Sequence, residues 1–326
     1  MKQVLISILV IIVLALGIRL FTFSENPEIA AKDDYLLSYK RTYKTYSPPL
    51  PEHIDFCGEN VPLDTFYVSE QLDREILVNT YWHSNSILLF KRAFRWFPVI
   101  EPILKEYGIP NDFKYLALIE SNLQNVTSPA GAKGYWQIMK KTAILYGLEI
   151  NREVDERYNV EKSTIAACKY LQDAYKQFGN WTLAAASYNM GRGGLNNKLK
   201  QQNVNSYYDL LLNQETGRYL YRTIAIKALF SEPSKYGFTL READLYPPLK
   251  YQIVEIDGPV KSWVIFAKEH KITYRMLKEF NPWLRKNYLT NAAHRKYLIK
   301  IPNDNMLHYR DLKSNMRTKT GVFGEE

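Results

Sequence analysis

The chain has 326 residues, 46% hydrophobic and 24% charged, which suits a main domain with a smaller companion and excludes a disordered chain. Its formal charge of +9 favours acidic partners, yet no nucleic-acid motif or dense Lys/Arg block accompanies it. Nucleic acid is therefore set aside, and an anionic surface or polymer remains. Five scattered histidines and two distant cysteines, Cys57 and Cys168, show no metal-ligand spacing, and no cofactor motif is visible, so neither a metal nor a cofactor is expected. A disulfide is permitted outside the cytoplasm but is not called for.

The N-terminus carries Lys2, an apolar stretch from Val4 to Ile18, then Arg19. This reads as an export signal over residues 1–23, retained as a membrane anchor or cut at the weak small-x-small site Ala15-Leu16-Gly17. Residues 24–68 are polar and include Ser47-Pro48-Pro49-Leu50-Pro51, which has the chemistry of a linker. Helical patterning begins near Ser69 and persists to about Phe230. Leu88, Phe90, Phe94 and Phe97 predict one helix ending before Pro98, and Glu101 to Tyr107 predicts a second, closed by Gly108-Ile109-Pro110.

Asn111 is the expected cap of the next helix, with Asp112 complementing its dipole. In Asp112-Phe113-Lys114-Tyr115-Leu116-Ala117-Leu118-Ile119-Glu120 only Lys114 clearly wants water, so the helix should be buried on nearly every side. A carboxylic acid at the inner end of such a helix is costly to ionise. Proteins seldom place Glu there unless it is paired or works as an acid, so Glu120 is the leading catalytic candidate, with a buried ion pair as the alternative.

Downstream, Ser163 to Phe178 predicts a helix capped by Ser163 and stopped by Gly179-Asn180. Trp181 to Tyr188 predicts another, ended by the glycines at 191, 193 and 194, and Arg218 to Phe230 closes the helical block. The composition shifts again at Pro247-Pro248. Beyond it, a strand at Tyr251-Gln252-Ile253-Val254, short helices over Ser262–His270 and Tyr274–Phe280, and a strand over Tyr297–Ile301 make a β-α-α-β unit. Residues 304–326 form a polar tail.

Four stretches occur in a telling order: Glu120-Ser121-Asn122-Leu123; Ser128-Pro129-Ala130-Gly131-Ala132-Lys133-Gly134-Tyr135-Trp136-Gln137-Ile138-Met139; Ala186-Ser187-Tyr188-Asn189-Met190-Gly191; and Glu215-Thr216-Gly217-Arg218-Tyr219. The set resembles the soluble lytic transglycosylase family, most closely its membrane-bound lytic murein transglycosylase D group. Val154-Asp155-Glu156-Arg157 and Phe178-Gly179-Asn180-Trp181 extend the match. The resemblance implies a mainly α chain with a lysozyme-like transglycosylase domain, set at residues 69–235, acting on peptidoglycan glycan strands.

It further implies that Glu120 serves first as acid and then as base, with the sugar's own C6 hydroxyl attacking C1 to leave a 1,6-anhydro-muramyl end. Ser128 would orient the acetamido group, Gln137 and Met139 would line the cleft, and Tyr188 would hydrogen-bond near the acid. Asn189 and Glu215 complete the substrate-binding set. Ordinary glycoside hydrolysis uses a second carboxylate, and none stands out in these stretches. A lysozyme-type hydrolase and a catalytically silent wall-binding scaffold are the two alternatives. The resemblance also implies an exported, periplasmic, membrane-associated protein.

Residues 248–303 resemble a divergent LysM module, a small βααβ peptidoglycan-binding fold. The residues that carry this are Tyr251-Gln252-Ile253-Val254, Leu277-Lys278-Glu279-Phe280-Asn281-Pro282 and Leu298-Ile299-Lys300-Ile301-Pro302. The usual Gly-Asp-Thr-Leu turn is replaced by Asp257-Gly258-Pro259-Val260, which leaves sugar binding and a purely structural role both open.

Overall fold

The computed structural model describes residues 2–22, 34, 36–39, 41, 44–303, 308–314, 316 and 322–323. Residues 1–47 and 48–326 form two compact units. The first contains helix α1 (Lys2–Thr22), whose described apolar side chains from Ile6 to Ile18 are exposed. Among the described residues no helix is long and apolar enough to cross a membrane. Of the expected linker, residues 24–33, 35, 40, 42 and 43 lie outside the described residues.

Its last part is not a linker. Strands β1 (Asp55–Phe56) and β2 (Glu59–Asn60) form a hairpin whose two turn residues, Cys57 and Gly58, both have positive φ, at 58° and 79°. Phe56 and Val61 are buried in the main core. The prolines masked this pattern, since a single buried aromatic gives no periodicity to read. The Glu59 carboxylate accepts the backbone N–H groups of Trp181 and Thr182 at 2.6 and 2.8 Å, placing negative charge on a helix N-terminus.

The helical block comprises α2 (Phe66–Tyr81), α3 (His83–Glu106), α4 (Phe113–Ser121), α5 (Lys140–Leu145), α6 (Val160–Phe178), α7 (Trp181–Met190), α8 (Arg192–Gln202) and α9 (Gln214–Ser231). Helix α3 does not break at Pro98. It runs on through Pro102 because both prolines lie on its solvent side, where curvature tolerates missing N–H bonds. Its other face buries Leu89, Phe90, Ala93, Phe97, Ile100 and Leu104, the spacing of a core-facing stripe.

Two caps also differ from expectation. Asp112, not Asn111, precedes α4, and its carboxylate accepts instead from Cys57 N and Lys227 Nζ at 2.7 and 2.8 Å. Helix α6 begins at Val160 with Asn159 as its cap, and Ser163 is buried inside it. Both cysteines are free.

The C-terminal module has the expected order: β3 (Tyr251–Ile256), α10 (Trp263–Glu269), α11 (Tyr274–Phe280) and β4 (Tyr297–Pro302), with β3 and β4 antiparallel and Tyr251 opposite Pro302. Its small core contains Trp263, Leu277, Trp283 and Ile299. Val154 and Tyr158 of the helical block belong to the same core. Within the expected tail, α12 (Tyr309–Lys313) hydrogen-bonds through Lys313 to the carbonyls of Ala243 and Leu245, and Phe323 packs against Phe90 and Phe230 with centroids 5.3 and 5.2 Å away.

Candidate active site

Helix α4 buries Phe113, Tyr115, Leu116, Ala117 and Leu118, so its last turn is delivered into the protein interior. Glu120 sits in that turn, where the negative end of the helix dipole adds to burial in disfavouring an ionised carboxylate. Asn122 and Leu123 then both take left-handed backbone, at φ 52° each, and stop the helix abruptly. Glu120 is half-buried, so part of it reaches solvent. Burial pushes its carboxyl up to about 7, against Tyr219 and Arg222, which both pull it down.

Tyr219 comes from α9 and donates its hydroxyl proton to Glu120 Oε1. It is 5% exposed, and burial followed by the Glu120 charge holds its own pKa well above the tyrosine range, so it stays a neutral donor. Tyr188, from α7, is raised in the same direction by burial and then by Glu120. Its hydroxyl donates to the Trp136 carbonyl at 2.8 Å. The groups that pull the Glu120 pKa back down are Tyr219 and Arg222.

The segment from Thr127 to Met139 folds as a tight double turn with bridges Thr127–Lys133 and Lys133–Ile138. Gly134, at φ 80°, is obligatory: a Cβ there would lie 1.8 Å from the Arg157 carbonyl oxygen. Trp136 is fully buried and its Nε1 donates to Thr164 Oγ1 at 2.8 Å, while Ser121 Oγ donates to the Tyr135 carbonyl at 2.7 Å. The residue after Glu120 thus ties the acid's helix to this loop.

A groove of about 310 Å³ opens beside the loop, lined by Gln137, Met139, Thr142, Tyr170, Tyr188 and Asn189 among others. Four of the expected binding residues, Gln137, Met139, Tyr188 and Asn189, therefore meet on one surface. The Gln137 amide N–H groups are spent on the carbonyls of Val126 and Gly134, at 3.1 and 2.8 Å, which supports its positive φ of 47°. Ser128 and Glu215 do not line this groove. Ser128 Oγ accepts from Ala132 N at 3.0 Å within its own turn, and Glu215 is exposed in the first turn of α9, four residues before Tyr219. A separate cavity of about 60 Å³ lies between the helical block and the C-terminal module and is lined by none of Glu120, Tyr188 or Tyr219.

Tyr219 was not expected as the acid's partner, although its spacing from Glu215, one helical turn, signals a shared face. Arg222, one further turn along α9, gave no signal at all.

These features define an α-helical protein in which a carboxyl with a raised pKa, Glu120, lies near Tyr188, a residue of the groove lining. Residues 98–210 match the transglycosylase SLT domain, and residues 252–305 match the soluble lytic transglycosylase C-terminal LysM-like domain. The chain carries both domains and is homologous to membrane-bound lytic murein transglycosylase D of Escherichia coli (strain K12), at 30% identity over 220 residues, 66% of this chain and 47% of the relative. The protein of the same name from Escherichia coli O6:H1 (strain CFT073) matches with the same identity and coverage. The chain spans about half the length of these curated relatives.

Proposed function

We propose that this chain is a lytic transglycosylase that cleaves the MurNAc-GlcNAc β-1,4 bond of peptidoglycan without water. The observation that carries this reading is Glu120: a carboxyl raised to about 7, bonded by Tyr219 and close to Tyr188 of the groove lining. Such a group holds its proton near neutrality and can deliver it to the departing glycosidic oxygen. The C1–O4 bond breaks as that proton transfers. The ionised carboxylate then takes the proton of the C6 hydroxyl as O6 bonds to C1, which restores the acid and leaves a 1,6-anhydro end.

Among the described residues no carboxylate lines the groove, which favours this over paired-acid hydrolysis. In this reading Gln137, Met139, Tyr188 and Asn189 contact the sugars. Ser128, whose Oγ accepts from Ala132, keeps its own proton to offer the acetamido carbonyl. Glu215, exposed one turn of α9 before Tyr219, contacts the glycan from outside that groove. We further assign residues 69–235 to the catalytic domain and 248–303 to the LysM-like domain.

We also place the protein in the cell envelope, with the exposed apolar face of α1 as its membrane-associating segment or export signal. Fractionation of cells carrying the full chain, beside a version lacking residues 1–23, tests this: equal membrane recovery of both would refute it. For the chemistry, digestion of sacculi followed by mass spectrometry is decisive. Products lighter by one water than the corresponding reducing muropeptides are expected from the wild type and absent with Glu120→Gln. Reducing ends would identify a hydrolase, and no release would identify a scaffold.

A further inference from the structure

The C-terminal module meets the helical block along residues 149–161, where Glu161 of α6 pairs with Lys300 and accepts from Tyr251, and the Glu153–Tyr158 strip of that seam also holds the groove loop. On its outer side, Val154 forms a β-bridge with Leu284, Asp155 N donates to the Trp283 carbonyl at 2.9 Å, and Arg285 N donates to the Glu153 carbonyl at 2.7 Å. The Glu153 carboxylate accepts from Thr290 N at 2.8 Å and from the Thr290 hydroxyl, and Arg285 lies over the Tyr158 ring at 4.3 Å. Val154, fully buried, completes the module's own core. Just before the strip, Glu149 accepts from Tyr297 and pairs with Arg295 at 3.1 Å.

On its inner side the same strip grips the loop. Arg157 is 3% exposed and its Nη1 reaches the carbonyls of Gly131 and Ile138, each at 3.3 Å. These two carbonyls flank the Gly134–Gln137 turn. The guanidinium is aimed by the Asp155 carboxylate through Nε and Nη2, at 2.9 and 2.8 Å, while Asp155 N is the group bonded to the module. The Arg157 carbonyl closes over Gly134, which has no room for a side chain. One residue thus fastens outward and its partner fastens inward. A buried bidentate pair of this kind is stiff, because neither charge can be released to water.

We propose that the C-terminal module acts in the reaction as a rigid wall behind the groove loop, with Arg157 as the positioning residue that transmits its support to Gln137 and Met139. This rests on the transglycosylase reading above. Its consequence is that the module contributes to turnover, through the placement of the loop, rather than to capture of the wall polymer. Small displacements of substrate-positioning groups cost rate steeply, on the order of 10²-fold for 1 Å.

Two variants of the full chain test this. Arg157→Lys keeps the charge beside Asp155 but cannot span both loop carbonyls. The double variant Glu149→Ala/Glu153→Ala removes side-chain bonds to the module and touches no loop residue. On soluble uncross-linked glycan strands, both should lower kcat by about tenfold or more with KM within about twofold of wild type. Sacculus pelleting and the circular dichroism spectrum should be unchanged. Amide hydrogen exchange over residues 131–139 should rise in both, a readout that needs no catalysis and so separates failure here from failure of the transglycosylase reading. If the double variant leaves kcat and loop exchange as in the wild type, or if it loses sacculus binding while kcat is retained, the proposal is overturned.

Discussion

Tyr219 donates to Glu120 across a sequence separation of 99 residues, bringing α9 and α4 together at the carboxyl. That bond favours the ionised acid and so restrains the upward pull of burial. Removing it with Tyr219→Phe should raise the Glu120 pKa above its present value of about 7. The alkaline limb of the kcat/KM profile, set by loss of the acid's proton, should therefore move to higher pH. Turnover should fall by roughly 10–100-fold, the worth of one hydrogen bond to a charged group. A pH profile with an unmoved limb would contradict the assignment of Tyr219 as the acid's partner.

Glu120→Gln should lower anhydro-muropeptide release by about 10²–10⁴-fold, the usual contribution of a general acid–base group. Stability should change in the other direction. Glu120 binds its proton more tightly folded than unfolded, between about 4.5 and about 7. Wild-type stability therefore falls as pH rises through that window, because the native state must then hold a buried charge. Gln mimics the neutral acid at every pH. The variant's unfolding free energy should match the wild type below pH 4.5 and exceed it above pH 7 by on the order of 1–3 kcal/mol, seen as a higher thermal midpoint in melts run across the range.

Gly134→Ala should destabilise the chain by several kcal/mol, on the order of 3 or more, since the new Cβ meets backbone rather than a yielding side chain. Gly131→Ala, also at positive φ but with open space around it, should cost only about 1 kcal/mol. Chemical denaturation of the two side by side checks the contrast.

Glu75 is 1% exposed on α2 and accepts from Arg218 Nε and Nη2 at 2.5 and 3.1 Å. Arg218 is the residue before Tyr219, so this pair anchors the start of α9 next to the acid's partner. Glu75→Ala should cost about 2–3 kcal/mol, less than a fully buried pair because Arg218 retains some solvent. It should also reduce turnover, and urea titration with a parallel activity assay would show both.

Much of the site could be read locally. Glu120 announced itself because a charged residue closes an otherwise apolar helix, and burial alone then dictates its chemistry. The βααβ order followed from strand and helix periods separated by clear turn signals. What escaped was non-local. The continuity of α3 depends on Pro98 and Pro102 facing solvent, which a proline rule cannot know. The hairpin at Asp55–Asn60 is too short for any period, and its place is fixed by Phe56 entering a core assembled far downstream. The dual grip of Asp155 and Arg157 involves carbonyls 19 and 26 residues before Arg157 and a module more than a hundred residues beyond. No window of sequence contains those partners. Ser128 carries a matching motif, yet its hydroxyl oxygen serves its own turn.

Because Val154 and Tyr158 complete a core otherwise built beyond residue 260, the two modules have no clean seam at which they could be traded. A gene fragment stopping near Pro247 would strand an oily strip on its product and invite clumping. Recombination that swapped in a different ending would need matching changes in the Glu149–Tyr158 segment to survive.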